Sequence, residues 1–150
     1  MNQKLKAGKI QRIFLSYGGG ASRHAQKIKK LLLQHSQVEI FTAEDLSAGE
    51  KWESRIKNEL QKCDMFLVIL SPESIISSWV LYEVGAAWAM GKPIVAVATD
   101  PTVAFLKPLE LSQYSLIDID ELRDPGKLDQ VLLKAKLSHP SSQRHEKLHK

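Results

Sequence analysis

Cysteine and long apolar runs are the features that this sequence most clearly lacks. Cys63 is the only cysteine in 150 residues, so no disulfide can form within the chain, and we expect a reducing, cytoplasmic setting. No apolar run approaches the roughly 20 residues that a membrane-spanning helix requires. The first residues also lack the apolar stretch of a secretory signal. We therefore expect no membrane association and no disulfide framework.

Clustered metal ligands are also missing. The sequence has one cysteine, no spaced pair of carboxylates and scattered histidines, so we predict no metal site. No serine stands in the strand–turn–helix context of a nucleophile elbow, which argues against a serine hydrolase. The histidines are His24, His35, His139, His145 and His149.

The basic charge of the chain lies at its two ends. The formal net charge is +4, but residues 1–12 carry +4 and residues 138–150 carry +2, which leaves the remainder at −2. A nucleic-acid-binding domain normally carries its basic stripe on the folded surface. Nucleic acid is therefore an improbable partner.

The apolar pattern predicts one globular domain, because 43% of the residues are hydrophobic and strands alternate with helices. We expect a three-layer α/β fold with a five-stranded parallel sheet, in a domain spanning 10–137 between a flexible segment 1–9 and a disordered basic tail 138–150. The predicted strands lie at about 10–17, 38–42, 64–70, 93–99 and 114–119. The predicted helices lie at about 22–36, 50–62, 78–90 and 120–137, the last one broken near Pro125.

The segment from Cys63 to Ala98 carries the clearest candidate site. Two short apolar runs, 65–70 and 94–98, are typical of strands buried on both faces, and a helix lies between them. Trp79 and Glu83 are four residues apart and therefore share a face of that helix. Open α/β sheets bind ligands at the carboxyl ends of their strands, so this pair is a candidate ligand site.

A triple glycine, 18–20, lies between the first strand and the first helix, where Ser22 is expected to cap the helix. Arg23 stands where a dinucleotide-binding fingerprint has its third glycine, and no Gly-Lys-Ser/Thr follows. Two interpretations remain open. The segment is either a flexible turn or a backbone contact for a ligand phosphate or ribose.

Taken together, these pieces resemble the TIR (Toll/interleukin-1 receptor) domain family, and more its enzymatic branch in bacteria and in an axon-degeneration enzyme than its receptor adaptors. The order of the pieces is more specific than any one of them. The matching pieces are Ile13–Tyr17, the loop Glu44–Gly49, Cys63–Pro72, Ser78-Trp79-x-x-x-Glu83 and Gly91–Ile94.

The resemblance implies a flavodoxin-like fold and cleavage of NAD+ at the nicotinamide–ribose bond, with NAD+ as substrate and no cofactor. The product would be ADP-ribose or a cyclic isomer, made by an assembled protein in immune or anti-phage signalling. Self-association would involve the loop Glu44–Gly49, with a separate sensor protein as a further partner. By resemblance, Glu83 is the catalytic residue, and the substrate-binding residues are Trp79, Tyr17, Gly18, Gly19, Ser47 and Asp45.

Three other functions remain open. The first is a TIR module that signals only by homotypic assembly. Absence of a glutamate at position 83 would favour this function, but Glu83 is present. The second is an enzyme resembling nucleoside deoxyribosyltransferases, which share the sheet architecture and use a glutamate at a ribose carbon. The third, a nucleic-acid binder, would show salt-dependent binding.

Overall fold

The computed structural model describes residues 12–35, 37–46, 49, 51–72, 77–100, 116–124, 126–127, 129–130 and 133. Strands and helices alternate along the chain, as the apolar pattern predicts. The strands are β1 (Arg12–Ser16), β2 (Glu39–Phe41), β3 (Met65–Leu70), β4 (Ile94–Ala98) and β5 (Leu116–Asp118). The helices are α1 (Ser22–His35), α2 (Trp52–Lys62) and α3 (Ser78–Ala89).

The five strands form one parallel sheet in the order β2-β1-β3-β4-β5. The predicted five-stranded parallel sheet is therefore confirmed. From β1 the chain passes first to β2 at one edge, then crosses back to β3 and continues outward to β4 and β5. The reversal of direction lies between β1 and β3, where Ser16 is paired with Val68.

Two separate core clusters lie on the two faces of the sheet. One face packs against α2 and α3 and includes Phe14, Phe66 and Val68. The opposite face packs against α1 and the 3-10 turn Ile119–Arg123. Every residue of β3 and β4 is buried, because helices cover both faces of these central strands. The fold therefore has three layers.

The structure departs from the sequence predictions mainly at the edges and ends. β2 has three residues, fewer than predicted, and β5 is described from Leu116 to Asp118, since residues 114–115 lie outside the described residues. The two strands occupy the two edges of the sheet. The predicted helix at 120–137 begins instead as the 3-10 turn Ile119–Arg123, with helical residues recurring at 126–127, 129–130 and 133. The predicted segments 1–9 and 138–150, and residues 134–137, lie outside the described residues. None of the helices in the described ranges has the length and apolar character to span a bilayer.

The start of α1 also differs from its prediction. A 3-10 turn, Gly19–Ala21, precedes the helix, and Ser22 has helical backbone angles (φ −61°, ψ −36°). Ser22 is thus the first residue of the helix and does not cap it. The glycine turn runs directly into α1.

Helix α3 has defined signals at both ends. The Ser77 side chain accepts a hydrogen bond from the amide of Val80 at 3.4 Å and caps the first turn. At the other end Gly91 has a φ of +72°, and the amides of Gly91 and Lys92 donate to the carbonyls of Trp88 and Ala87. This is a Schellman motif, in which glycine is favoured because its φ is positive.

Lys92 connects this turn to the end of α2. Its ammonium group donates to the carbonyl oxygens of Gln61 at 2.7 Å and Cys63 at 2.9 Å. These carbonyls belong to the last turn of α2, where helix carbonyls have no partners within the helix and a cation is favourable. One side chain therefore joins α2 to the β4 side of the sheet.

We expect Lys92→Met to lower the free energy of unfolding by about 1–2 kcal/mol, because two carbonyls lose a charged donor while the apolar stem is kept. Urea unfolding followed by circular dichroism measures the difference. Lys57→Met, at an exposed position of α2, is the matched control and should change stability by no more than about 0.5 kcal/mol. Equal effects of the two substitutions would show that the carbonyl contacts contribute little.

Candidate active site

Glu83 lies on the face of α3 that packs against the sheet. Its side chain is only 1% exposed, and the buried residues beside it on the helix are Val80, Val84 and Ala87. A glutamate is rarely buried to this extent unless it is paired or hydrogen-bonded. Its partner must therefore come from another element.

That partner is Ser16, the last residue of β1. The Ser16 hydroxyl donates to Oε1 of Glu83 at 2.8 Å, and Ser16 is itself 2% exposed. The second oxygen, Oε2, is buried and has no hydrogen-bond partner among the described residues. The carboxyl group thus has one satisfied and one free oxygen.

Burial raises the pKa of Glu83 from 4.5 to about 7, and the hydrogen bond from Ser16 opposes the rise. Burial acts in this direction because it disfavours the charged carboxylate. At neutral pH the ionised and protonated forms are therefore present in comparable amounts. Titratable groups with such shifts concentrate at functional sites.

The carboxyl group lies at the point where the sheet topology reverses. Ser16 ends β1, and the chain leaves β1 and β3 toward opposite edges of the sheet. In open α/β sheets the crevice at such a reversal, outside the carboxyl ends of the strands, is the usual ligand site. The buried glutamate is therefore placed where a ligand would bind.

Tyr17, Gly18 and Gly19 directly follow Ser16 and so adjoin the same end of β1. Tyr17 is half-buried, and its pKa is raised above the ordinary tyrosine value by burial and by a hydrogen bond with Glu44. Gly18 is buried with an extended backbone, and Gly19 begins the 3-10 turn. The three predicted substrate-binding residues thus directly follow Ser16, the hydrogen-bond partner of Glu83.

The loop Glu44–Gly49, which carries the predicted substrate-binding residues Asp45 and Ser47, has a defined first half. The 3-10 turn Ala43–Asp45 is held by a capping box, in which Oδ2 of Asp45 accepts from the Thr42 amide at 2.9 Å and the Thr42 hydroxyl at 3.3 Å. The described contacts of Asp45 are therefore local. The Tyr17–Glu44 hydrogen bond ties this turn to the end of β1, and Ser47 lies outside the described residues.

Trp79 is engaged with aromatic side chains on both sides. Its ring lies 4.9 Å from that of Trp52 in a tilted arrangement and is stacked 6.1 Å from that of Tyr82. It is partly buried against the core cluster of α2 and α3. These contacts give Trp79 a packing role at the start of α3, and a contact with substrate remains a prediction.

Two open cavities lie away from Glu83, and its side chain lines neither. A cavity of about 390 Å³ lies beside β2 and α2, and its lining includes Arg12, Arg55 and Asp45. A second, of about 300 Å³, lies between α2 and α3 with Trp52 and Tyr82 at its wall. Across the described ranges, no three metal-ligating side chains come together.

Comparison with known families identifies the fold. The TIR domain family model matches residues 13–132, which is most of the chain. The chain belongs to the TIR domain family. A sequence comparison with curated proteins finds no match.

Solved structures are similar to this TIR domain in fold at low sequence identity. The TIR domain of the Toll-related receptor TRR-2 from Hydra magnipapillata has a TM-score of 0.66 at 13% identity, covering 83% of this chain and 97% of that one. The CMP N-glycosidase BcmB from Clostridium botulinum has a TM-score of 0.53 at 20% identity, with coverages of 80% and 99%. The TIR domains of the activated Roq1 resistosome, which recognises the pathogen effector XopQ, give 0.55 at 19% identity, with coverages of 81% and 83%.

Ser16 is the site residue of this TIR domain that the sequence patterns do not predict. Its partner is 67 positions away, so no local periodicity connects the two. One signal was present. Ser16 is a polar residue at the end of a strand whose preceding three residues are apolar and buried. A polar side chain in that position needs a buried partner.

We expect the free energy of unfolding to fall as pH rises from about 4.5 to about 7, because the folded domain holds a proton on Glu83 that the unfolded chain releases. Glu83→Gln removes this ionisation. The stability of the variant relative to wild type should therefore increase by about 3 kcal/mol across that window. Urea unfolding at a series of pH values measures it.

Glu121→Gln is the control for this titration, because Glu121 is exposed. The difference between this variant and wild type should stay nearly constant with pH. A constant difference for Glu83→Gln as well would mean that the folded-state pKa of Glu83 is not raised.

Proposed function

We propose that this TIR domain cleaves the N-glycosidic bond of a ribosyl nucleotide, and that its substrate is NAD+. The reaction releases nicotinamide and leaves ADP-ribose or a cyclic isomer. NAD+ is consumed as a substrate, and no cofactor takes part. Glu83 is the proposed catalytic residue.

The observation that carries the proposal is the buried carboxyl group of Glu83 with a free oxygen. Oε2 has no partner among the described residues, although an unsatisfied buried oxygen is unfavourable. It lies beside the carboxyl end of β1, where a bound ligand could supply the missing donor. A ribose hydroxyl is a donor of the required kind.

Cleavage of the nicotinamide–ribose bond of NAD+ needs only one carboxylate in the site. Nicotinamide is bound to ribose as a cationic pyridinium, so it departs with the bonding electrons as a neutral molecule and no acid has to protonate it. The ribose then resembles an oxocarbenium ion, as in glycoside hydrolysis. The ionised carboxylate of Glu83 accepts a hydrogen bond from a ribose hydroxyl and stabilises the developing positive charge.

The neighbouring residues have proposed supporting roles. Tyr17, Gly18 and Gly19 line the ribose and phosphate side of the substrate, because they follow Ser16 at the end of β1. Trp79 offers an aromatic face to nicotinamide or holds the start of α3. Asp45 and Ser47 belong to the loop that closes over the substrate.

The similarity to BcmB raises CMP as a second possible substrate. BcmB is named as a CMP N-glycosidase, so a related fold is associated with cleavage of a nucleotide N-glycosidic bond. Cytosine in CMP is uncharged and would depart as an anion unless an acid protonated it. In the described part of the chain no second carboxyl group contributes to the pKa shift of Glu83. A site with a single carboxyl group is therefore better suited to NAD+ than to CMP as its substrate.

We place the reaction in immune or anti-phage signalling in the cytoplasm, switched on by self-assembly. The similarity to the TIR domains of an activated resistosome that recognises a pathogen effector supports this setting. The proposed contact between copies is the loop Glu44–Gly49, with a separate sensor protein starting assembly.

A TIR module that acts only through assembly is the second candidate function. The observation in its favour is the aromatic groove between α2 and α3. Trp52 is 43% exposed and Tyr82 is 57% exposed, and both line that groove. Large exposed aromatic side chains are typical of protein interfaces.

The proposed activity is tested by incubating NAD+ with the purified domain at high concentration or clustered on vesicles, and separating the products by chromatography. We expect nicotinamide to accumulate with wild type. Glu83→Gln should lower the rate by about 10²–10³-fold, because the neutral amide cannot stabilise the positive ribose. CMP is tested in parallel, with free cytosine as the readout.

Glu121→Gln keeps the substitution chemistry and leaves the site intact, so its rate should match wild type. Release of cytosine without nicotinamide would replace NAD+ by CMP as the substrate. Clustered wild type that releases neither base would leave the assembly module as the better account.

A further inference from the structure

The hydrogen bond between Ser16 and Glu83 has a fixed direction. A serine hydroxyl has a single proton, and here Ser16 donates it to Oε1 of Glu83 at 2.8 Å. Oε1 is therefore occupied as an acceptor when Glu83 is ionised. Oε2, the oxygen without a partner in the described residues, is the one left to take a proton or a ligand donor.

No charged side chain of the described residues competes with Ser16 for this role. The pKa shift of Glu83 arises from burial and from the Ser16 hydrogen bond alone. The surroundings on the same face of the sheet are apolar side chains of β1, β3 and α3, among them Phe14, Val68 and Val80. Two other titratable groups with raised pKa values belong to the neighbouring elements. They are Cys63 of the same cluster, whose pKa is raised to about 11 by burial, and Tyr17, whose pKa is raised by burial and by a hydrogen bond with Glu44.

We propose that Ser16 is a positioning residue that holds Oε1 and presents Oε2 alone to the ribose of the substrate. This proposal rests on the proposed function of Glu83. The ionised Oε2 accepts a hydrogen bond from one ribose hydroxyl. The protonated Oε2 cannot, so Ser16, by favouring the ionised carboxyl group, also sets the pH above which the site is active.

A merely structural Ser16 would behave differently. If its hydroxyl bonded the ionised and protonated forms of Glu83 equally well, removing it would lower stability and rate without moving the pH dependence. If the hydroxyl positions Glu83 and favours its ionised form, removing the hydroxyl moves the pH dependence of the site. The pKa of Glu83 then rises, because the ionised form loses a hydrogen bond that favours it.

The experiment compares Ser16→Ala with Ser16→Thr, which keeps a hydroxyl in a strand where a β-branched residue is accepted. The ionisation of Glu83 is followed directly by NMR of ¹³C-labelled glutamate carboxyl groups. Loss of one resonance in Glu83→Gln assigns its signal. The rate of NAD+ cleavage by clustered protein is measured over the same pH range.

We expect a titration midpoint near 7 in wild type, a midpoint about one pH unit higher in Ser16→Ala, and a midpoint near wild type in Ser16→Thr. The rising limb of the pH–rate profile should move by the same amount in Ser16→Ala. Its plateau above the limb should also fall about 10-fold, because the freed carboxyl group is less well oriented.

Ser16→Cys provides a graded variant if Ser16→Ala does not fold, since a thiol is a weaker donor of similar size and should give an intermediate midpoint. An unchanged midpoint in a folded Ser16→Ala would overturn the proposal. So would a midpoint that rises while the pH–rate profile stays in place.

The NMR readout separates this inference from the proposed activity. If clustered wild type cleaves no NAD+ and the midpoint still rises in Ser16→Ala, the proposed reaction fails and the control of Glu83 by Ser16 is supported. If wild type cleaves NAD+ and the midpoint does not move, the reaction stands and Ser16 has only a structural role.

Discussion

One buried hydrogen bond connects the packing of this domain to its chemistry. The contact between Ser16 and Glu83 brings a carboxyl group into an interface whose other members are apolar. Burial of a carboxylate is unfavourable, and a single hydroxyl only partly compensates for it. An apolar residue of similar size at position 83 would stabilise the fold more. A protein that keeps such a group against its own stability usually uses it in function.

The sheet topology explains why the site lies at β1. The chain leaves β1 toward β2 and later leaves β3 toward β4, on opposite sides of the reversal. Helix α1 covers one face of the sheet, and α2 and α3 cover the other. The Gly18–Gly20 turn begins at the carboxyl end of β1 with an extended Gly18 and has no side chains. The turn thus begins two residues after Ser16, the hydrogen-bond partner of Glu83.

The central strands could be predicted from the sequence to within about two residues. β3 and β4 are buried on both faces, so each appears as an uninterrupted apolar run between turn residues. The edge strand β2 is shorter than predicted, because its pairing with β1 covers only Glu39–Phe41 although β1 continues to Ser16. The position of Glu83 on α3 follows from its spacing to Trp79, but its burial does not.

The contacts of the site depend on the fold and have no local signature. Trp79 and Glu83 share a helix, yet Trp79 packs sideways against Trp52 of α2 while Glu83 points to the sheet. Four residues advance a helix by slightly more than one turn, so the two side chains are near each other without being parallel. Ser16 could not be paired with Glu83 without the strand order.

The ionisation of Glu83 also bears on which nucleotide the site would favour. A carboxyl group with a pKa of about 7 is only partly charged at neutral pH, and any nearby positive charge favours its ionised form. The nicotinamide ring of NAD+ carries such a charge, whereas the cytosine of CMP is neutral. Binding of NAD+ would therefore convert the site to its active state and release a proton from Oε2. Binding of a nucleotide with a neutral base would leave a fraction of the sites protonated. In the proposed reaction, the electrostatics of the buried carboxyl group therefore select for a cationic leaving group.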